Sequence, residues 1–364
     1  MSANDYYFMQ RALRLAAGAG VRAAPNPGVG CVLVRDGRIL GEGATQQAGS
    51  DHAEIQALKA AAAAGEAVAG ATAYVTLEPC SHHGRTPPCA DALIRVGIAR
   101  VVAAMRDPFP EVAGRGLERL RGAGIAVECG VLEDEARRVH RGFLSRIERG
   151  RPWVTLKAAA SLDGGTALQN GASQWITGPD ARRDVQRLRA QYDAILTGSG
   201  TVRADDPQLT VRDAEVPRQP LRIVVDSALS TSAASRVYRD GRSLLATCVD
   251  DAARLEPYRA AGGDVLTLPS CDGHVDLDAL LPELGARGVN HLMVEAGAVL
   301  SGALLGAGLV DDIVLYLAPS FLGDAARGLF AWAPLTALEQ RVRFTIDDVR
   351  KVGADLRLTL RPSI

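Results

Sequence analysis

The sequence predicts an α/β protein of two domains, on three observations. Its 364 residues exceed what one hydrophobic core usually supports. Short strand-like apolar runs alternate with helical patterns along most of the chain, as in the βα units that build parallel sheets. The run Arg149-Gly150-Arg151-Pro152 then stops a helical pattern with a Gly and a Pro, which places the division between residues 1–148 and residues 152–364.

In the first domain, Phe8, Ala12, Leu15 and Ala16 mark the apolar face of an amphipathic helix from about Asp5 to Ala19. Val29 to Val34 and Ile39 to Glu42 flank Asp36-Gly37, a favoured two-residue hairpin turn. The Ala-rich run Ile55 to Ala64 gives a helix after His52. It is followed by a strand at Ala73 to Leu77, a helix at Cys89 to Val96 and a strand at Val101 to Ala104. A strand at Ile125 to Cys129 and one terminal helix from Glu133 to Glu148 complete a three-layer domain.

Beyond the boundary, strands are expected at Trp153 to Ala159, Ala194 to Thr197, Arg222 to Val225, Ser243 to Thr247, Val265 to Leu268, His291 to Glu295 and Ile313 to Leu317. Helices between several of them predict a mainly parallel sheet. Arg343 to Val352 and Leu356 to Leu360, joined through Gly353-Ala354-Asp355, predict an antiparallel hairpin on its edge.

Composition narrows the function. Hydrophobic residues are 47% and charged residues 23%, near the average for globular proteins. A net charge of -1 gives no electrostatic footprint for nucleic acid, and 4% aromatics leave few platforms on which bases stack. A small-molecule substrate is therefore expected. No apolar run approaches a membrane span, and Met1-Ser2-Ala3-Asn4-Asp5 is too polar to begin a signal peptide. The expectation is a cytoplasmic protein with reduced cysteines, free to bind metal, and a homo-oligomer, dimer or tetramer.

The chemistry is concentrated in His52-Ala53-Glu54 and in Glu78-Pro79-Cys80 followed by Cys89. One imidazole and two thiolates fill three corners of a tetrahedral zinc site and leave the fourth to water, as catalytic zinc requires. Residues two apart on a helix diverge, so His52 is the ligand and Glu54 the group that moves protons. His-x-Glu followed by Pro-Cys and a second Cys is the zinc nucleobase deaminase signature. His82 and His83 are assigned to neither role. Cys31, Cys129, Cys248 and Cys271 lack ligand-like spacing and read as ordinary apolar positions. A redox dithiol at Cys80 and Cys89 is the competing reading, and it needs no zinc.

The nine-residue step between the cysteines departs from the short spacing of cytidine deaminases. The stretch Thr76-Leu77-Glu78-Pro79-Cys80-Ser81-His82-His83-Gly84-Arg85-Thr86-Pro87-Pro88-Cys89, with Asn26-Pro27-Gly28-Val29-Gly30 upstream, closely resembles the deaminase half of the bifunctional riboflavin-biosynthesis deaminase-reductases. Leu156 to Gly164 and Thr197 to Arg212 resemble the reductase half, so the likeness spans nearly the whole chain. It implies a cytidine-deaminase-like first domain and a dihydrofolate-reductase-like second domain. The implied cofactors are Zn2+ and NADPH, and the implied substrate is a diaminopyrimidine ribotide that is deaminated and then reduced.

Carried over by that resemblance, His52, Cys80 and Cys89 are zinc ligands and Glu54 is the proton shuttle. Ala159, Trp175, Thr201, Asp205, Ser227, Gly297, Ala298, Val299, Leu300, Ser301, Gly302 and Ala303 fall to the cofactor. Asn26, Ser173, Arg189, Leu209, Arg212 and Glu295 fall to the substrate, with Arg189 and Arg212 as forked donors to its phosphate. Lys157 and Asp163 are further candidates for positioning the ribosyl group, and Asp205 for protonating it. There is no Gly-x-Gly-x-x-Gly after a strand; the small-residue turn at Gly297 is the nearest phosphate-binding signal. Two departures from the family pattern stand out: Gly165 in place of a basic residue, and Ser230-Thr231-Ser232 where Arg and Pro are common. They motivate an alternative, a deaminase whose second domain has become a binding or regulatory module.

Overall fold

The computed structural model describes residues 2–81, 87–110 and 112–363, and the chain divides into Met1–Gly150 and Arg151–Ile364. His82 and His83 lie outside the described residues. The first unit comprises α1 (Ala3–Ala23), β1 (Gly30–Arg35), β2 (Arg38–Ala44), α2 (Ala53–Ala63), β3 (Thr72–Val75), α3 (Cys89–Arg95), β4 (Arg100–Ala103), α4 (Arg115–Gly122), β5 (Ala126–Cys129), α5 (Glu133–Val139) and α6 (Arg141–Arg149). The sheet order is β2-β1-β3-β4-β5, with β1 antiparallel to both neighbours and β3, β4 and β5 parallel.

Local chemistry explains the first elements. Ser2 and Asp5 form a capping box, so α1 begins before the expected Asp5. Its buried stripe is Phe8, Met9, Ala12, Leu13, Ala16 and Ala19; Leu15 is only half-buried, so the stripe is rotated from the expected one. Asp36 and Gly37 both have positive φ, 53° and 76°, the backbone of a tight hairpin turn.

Missing side chains set the layers. A Cβ built on Gly30 would lie 2.0 Å from the Ala12 carbonyl oxygen of α1. On Gly41 and Gly43 it would lie 2.3 Å from Ala57 O and 2.4 Å from Ala53 O of α2. Gly41 and Gly43 pair with Leu33 and Cys31, which alternate with Gly30 along β1. Hence α1 and α2 cover opposite faces, and Cys31, Val32 and Leu33 are all fully buried.

Two local expectations change. Helix α4 went unforeseen because only Leu117 and Leu120 of its eight mostly charged or small residues are apolar and buried. The terminal helix is two helices that meet at His140, whose buried imidazole places Nε2 3.2 Å from Thr76 Oγ1. Among the free cysteines Cys31 is buried, but Cys271 is exposed on a short ribbon and is not an apolar position.

The second unit comprises β6 (Trp153–Ser161), β7 (Gly165–Ala167), α7 (Pro179–Arg189), β8 (Ala194–Gly198), α8 (Ser199–Asp205), β9 (Leu221–Val225), β10 (Ser243–Thr247), α9 (Ala252–Ala260), β11 (Asp264–Thr267), β12 (Ser270–Cys271), β13 (His274–Val275), α10 (Leu277–Ala286), β14 (His291–Val294), α11 (Ala298–Gly306), β15 (Asp312–Ala318), β16 (Arg327–Gly328), β17 (Phe344–Val352) and β18 (Asp355–Pro362). The large sheet runs β11-β10-β9-β8-β14-β6-β15-β18-β17. Its first seven strands are parallel, and the closing hairpin adds the antiparallel edge. Apolar clusters fill both faces, one around Val154, Leu156 and Leu292, the other around Ile195, Val224 and Met293. Two-stranded ribbons, β12 with β13 and β7 with β16, lie outside this sheet. Among the described residues no helix is long and apolar enough to cross a membrane.

Two outcomes follow for the first unit. Gly43→Ala should lower stability by about 1–3 kcal/mol, because backbone must move to admit the methyl; Gly122→Ala, with open space around it, should change stability by less than about 0.5 kcal/mol in the same urea titration. Burial pushes the His140 imidazole down to about 4. Between pH 6.5 and 4 the unfolded chain therefore takes up a proton that the folded chain refuses, and stability falls with acidification by about 3 kcal/mol. Urea midpoints of wild type and His140→Gln across that window should differ by this slope.

Candidate active sites

Three donors from separate elements meet at the end of β3. His52 is the N-cap residue of α2 and makes no side-chain capping bond, which leaves its imidazole available. Cys80 lies on the loop that leaves β3, and Cys89 opens α3. His52 Nδ1 is 3.6 Å from Cys80 Sγ and 3.4 Å from Cys89 Sγ, and all three donor atoms lie within 4.8 Å of one another. A tetrahedral zinc with ordinary bond lengths requires about 3.6 Å between nitrogen and sulfur donors, so the observed set fits that ion.

The electrostatics agree. The Cys89 backbone N–H donates to Cys80 Sγ at 3.3 Å. The Cys89 thiol, and then His52, hold Cys80 well below the usual thiol range, while Cys89 is pushed up by its sulfur neighbour and by burial. The two sulfurs thus compete for one proton, which a bound dication would displace. Glu54, in the first turn of α2 and 3% exposed, is pushed up to about 7 by burial and then by the Cys80 charge. A carboxyl poised near neutrality suits proton transfer.

The sequence reading missed Glu78. This buried carboxylate accepts four backbone N–H bonds: from Gly116 at 2.8 Å and Leu117 at 3.3 Å on Oε1, and from Gly114 at 2.8 Å and Asp107 at 3.2 Å on Oε2. It thereby caps α4 from outside and fixes the chain two residues before Cys80. A Cβ on Gly116 would lie 2.0 Å from Pro79 O, so the two segments touch through backbone. Glu78 stood inside the recognised motif, but its partners are 29 to 39 residues away.

In the second unit the candidates gather at the carboxyl ends of adjacent parallel strands, the usual ligand edge of such sheets. Ala159 lies on β6, Thr201 in α8 after β8, Ser227 after β9, and Glu295 and Gly297 after β14. A Cβ built on Gly297 would be 3.9 Å from Thr201 Oγ1, and one on Gly198 would be 3.3 Å from Leu300. Gly297 is the N-cap of α11 and has no side-chain capping bond, and Val299 is exposed. Farther along α11 the residues turn inward. Ser301 is buried with Oγ 3.2 Å from Ala296 O, and a Cβ on Gly302 would be 2.5 Å from Ala331 O. Gly302 thus serves close packing. Ala298 is half-buried, and Ala303 is exposed one residue beyond Gly302.

Other assigned residues are differently placed. Arg189 spends its fork on Glu295 at 2.6 and 3.1 Å and gives a third bond to Thr210 O, so its donors do not face a phosphate. Lys157 Nζ is 3.7 Å from Glu295. Burial alone would raise Glu295, but Arg189 and then Lys157 hold it down at about 2. Leu209 is a core residue at φ 53°. Arg212 is exposed, and its backbone N–H binds Gln186. Trp175 is exposed, with the Arg182 guanidinium 4.5 Å above its ring; Ser173 lies two residues before it, and Asp205 ends α8 exposed. Asn26 is half-buried ahead of β1. Asp163 gives its carboxylate to Ser161 Oγ and to the Leu322 and Gly323 N–H groups.

The departures also have structural partners. Ser230 and Thr231 each donate backbone N–H and hydroxyl to the buried Asp226 carboxylate. A Cβ on Gly165 would sit 3.0 Å from Ala326, Leu322 and Ser161 side chains.

Residues 2–105 match the model of the cytidine and deoxycytidylate deaminase zinc-binding region, and residues 152–358 match that of the RibD C-terminal domain. Fold and donor set thus define a bifunctional enzyme, a deaminase and a reductase in one chain, whose cofactors are zinc and NADPH. The riboflavin biosynthesis protein RibD of Escherichia coli is 50% identical over 98% of this chain and 99% of its own. RibD of Acinetobacter baumannii has a TM-score of 0.90 at 40% identity, over 99% of each chain. The diaminohydroxyphosphoribosylaminopyrimidine deaminase/5-amino-6-(5-phosphoribosylamino)uracil reductase of Thermotoga maritima has a TM-score of 0.89 at 35% identity, again over 99% of each chain. The chain belongs to the RibD family of riboflavin biosynthesis proteins.

Glu78→Gln puts an amide donor against N–H groups that now meet an anion. We expect a loss of about 2–3 kcal/mol in urea unfolding and weaker retention of zinc against a competing chelator.

Proposed function

We propose that the first unit deaminates a diaminopyrimidine ribotide by hydrolysis and that the second reduces the ribosyl group of the product with NADPH. The observation that carries the reading is the His52, Cys80 and Cys89 donor set at tetrahedral spacing beside buried Glu54. His52, Cys80 and Cys89 hold the zinc, which supplies Lewis acidity that makes water acidic near neutral pH. With zinc held there, the Glu54 carboxylate would carry a proton between water and the amine that leaves the pyrimidine carbon. Asn26 orients the pyrimidine.

In the second unit Thr201, Ser227 and the Gly297-to-Leu300 turn receive NADPH, with the free N–H groups at the start of α11 aimed at phosphate. Ala159 and Asp205 border the cofactor, and Trp175 covers its ring or the substrate's. Arg189 fixes Glu295 so that the carboxylate accepts from the ribosyl hydroxyls, and exposed Arg212 meets the phosphate. Ser173 and Leu209 border the ribotide, Leu209 through its backbone. The reduction needs orientation and exclusion of water more than side-chain chemistry. The reading takes in a homo-oligomer in the cytoplasm.

Mass spectrometry of the ribotide, incubated with zinc-loaded protein with and without NADPH, tests both steps. Replacement of an amine by oxygen is expected in both samples, and a gain of two hydrogens only with NADPH. Glu54→Gln should retain zinc, lose deamination by about 10²-fold or more, and still reduce supplied deaminated substrate. Full deamination by that variant would exclude the shuttle; NADPH-independent product would exclude the second step.

A further inference from the structure

Three arginines gather at the amino-terminal rim of the large sheet, the end opposite the strand ends just described. Arg222 is the second residue of β9, Arg218 precedes that strand, and Arg242 directly precedes β10. Two of the three have clear partners. Arg222, only 2% exposed, donates Nε to Arg242 O at 3.1 Å and Nη2 to Arg239 O at 2.6 Å. Arg218 Nη2 donates to Asp193 Oδ1 at 2.7 Å.

Arg242 is different. Its side chain has no ion pair and no hydrogen bond among the described residues, and its buried Nε, like the buried Nε of Arg218, lacks an acceptor. Asp193 cannot supply what is missing, because its Oδ2 already accepts the Asn290 and His291 N–H groups at 3.0 Å each. The remaining acid felt by the cluster is Asp240, which acts on Arg222. Three guanidiniums thus face two carboxylates. Burial and then Arg218 disfavour the Arg242 charge, and Asp193 offsets them only in part. A half-buried cation without a partner is costly, and a planar fork of donors is what an oxyanion binds best.

We propose that Arg218 and Arg242 frame an oxyanion site of phosphate, sulfate or carboxylate chemistry at the amino-terminal rim of the reductase sheet. Both residues are partly exposed, though their Nε atoms are themselves shielded from solvent. A bound anion would draw these two forks toward solvent, give their stranded Nε groups acceptors and hold the starts of β9 and β10 together. The site would stabilise the fold by mass action and be independent of turnover.

The test is thermal unfolding of the zinc-loaded full chain, saturated with NADP+ to occupy the cofactor site. Inorganic phosphate, sulfate or acetate is titrated at an ionic strength held constant with chloride. The expected result is a saturable rise in Tm with at least one of the three, about 5–10 °C at a hundredfold excess over its Kd. The arm that gives the rise identifies the anion. Arg242→Gln should abolish the rise, keep NADPH-dependent reduction, and be at least as stable as wild type in chloride alone, since it removes an unpaired cation. Wild-type melting that is the same in all three anions as in chloride overturns the proposal, whether or not the variant folds. An undiminished rise in Arg242→Gln, or in Arg242→Met if the first variant does not fold, also overturns it, because the anion then binds elsewhere.

Discussion

The first unit depends on the backbone contact between β2 and α2. With Gly41 and Gly43 under Ala57 and Ala53, helix and sheet approach more closely than any side chain would allow. That approach carries the start of α2, with His52 and Glu54, to the loop after β3. Cys80 and Cys89 arrive there by an independent route, through the amide–sulfur bond between them and through Glu78. A methyl group beneath α2 would therefore be felt first as strain and then as a displaced imidazole.

Buried carboxylates divide by what surrounds them, and the division assigns their work. Glu78 receives four N–H groups, Asp226 four donors from Ser230 and Thr231, and Glu295 two cations; each is satisfied as an anion. Glu54 is buried as well, and burial, then the Cys80 charge, raises its carboxyl toward neutrality. Environments that push Glu54 up and Glu295 down separate a proton carrier from an ion-paired anchor.

The second unit separates its two rims in the same way. Parallel strands deliver Ala159, Thr201, Ser227 and Gly297 to their carboxyl ends, where such sheets bind ligands. Satisfied pairs such as Arg189–Glu295 and Asp163 with Ser161 brace that edge. The opposite rim carries the arginine cluster, where charge exceeds its partners.

The donor set, the Asp36-Gly37 hairpin, the parallel strands and the closing hairpin were all legible in the sequence because each rests on local chemistry: ligand type, turn backbone or residue period. What tertiary structure alone decided was non-local. Helix α4 owes its start to a carboxylate 36 to 39 residues earlier, a partner that no window of local pattern contains. His140 breaks a continuous helical pattern to sit against Thr76, 64 residues away. Arg189 and Gly302 fit a family pattern for ligand contact, yet one is spent on Glu295 and the other on the Ala331 backbone. Residue type and spacing fix which groups can do chemistry; which of them remain free to do it is settled only when distant backbone and charge have taken their partners.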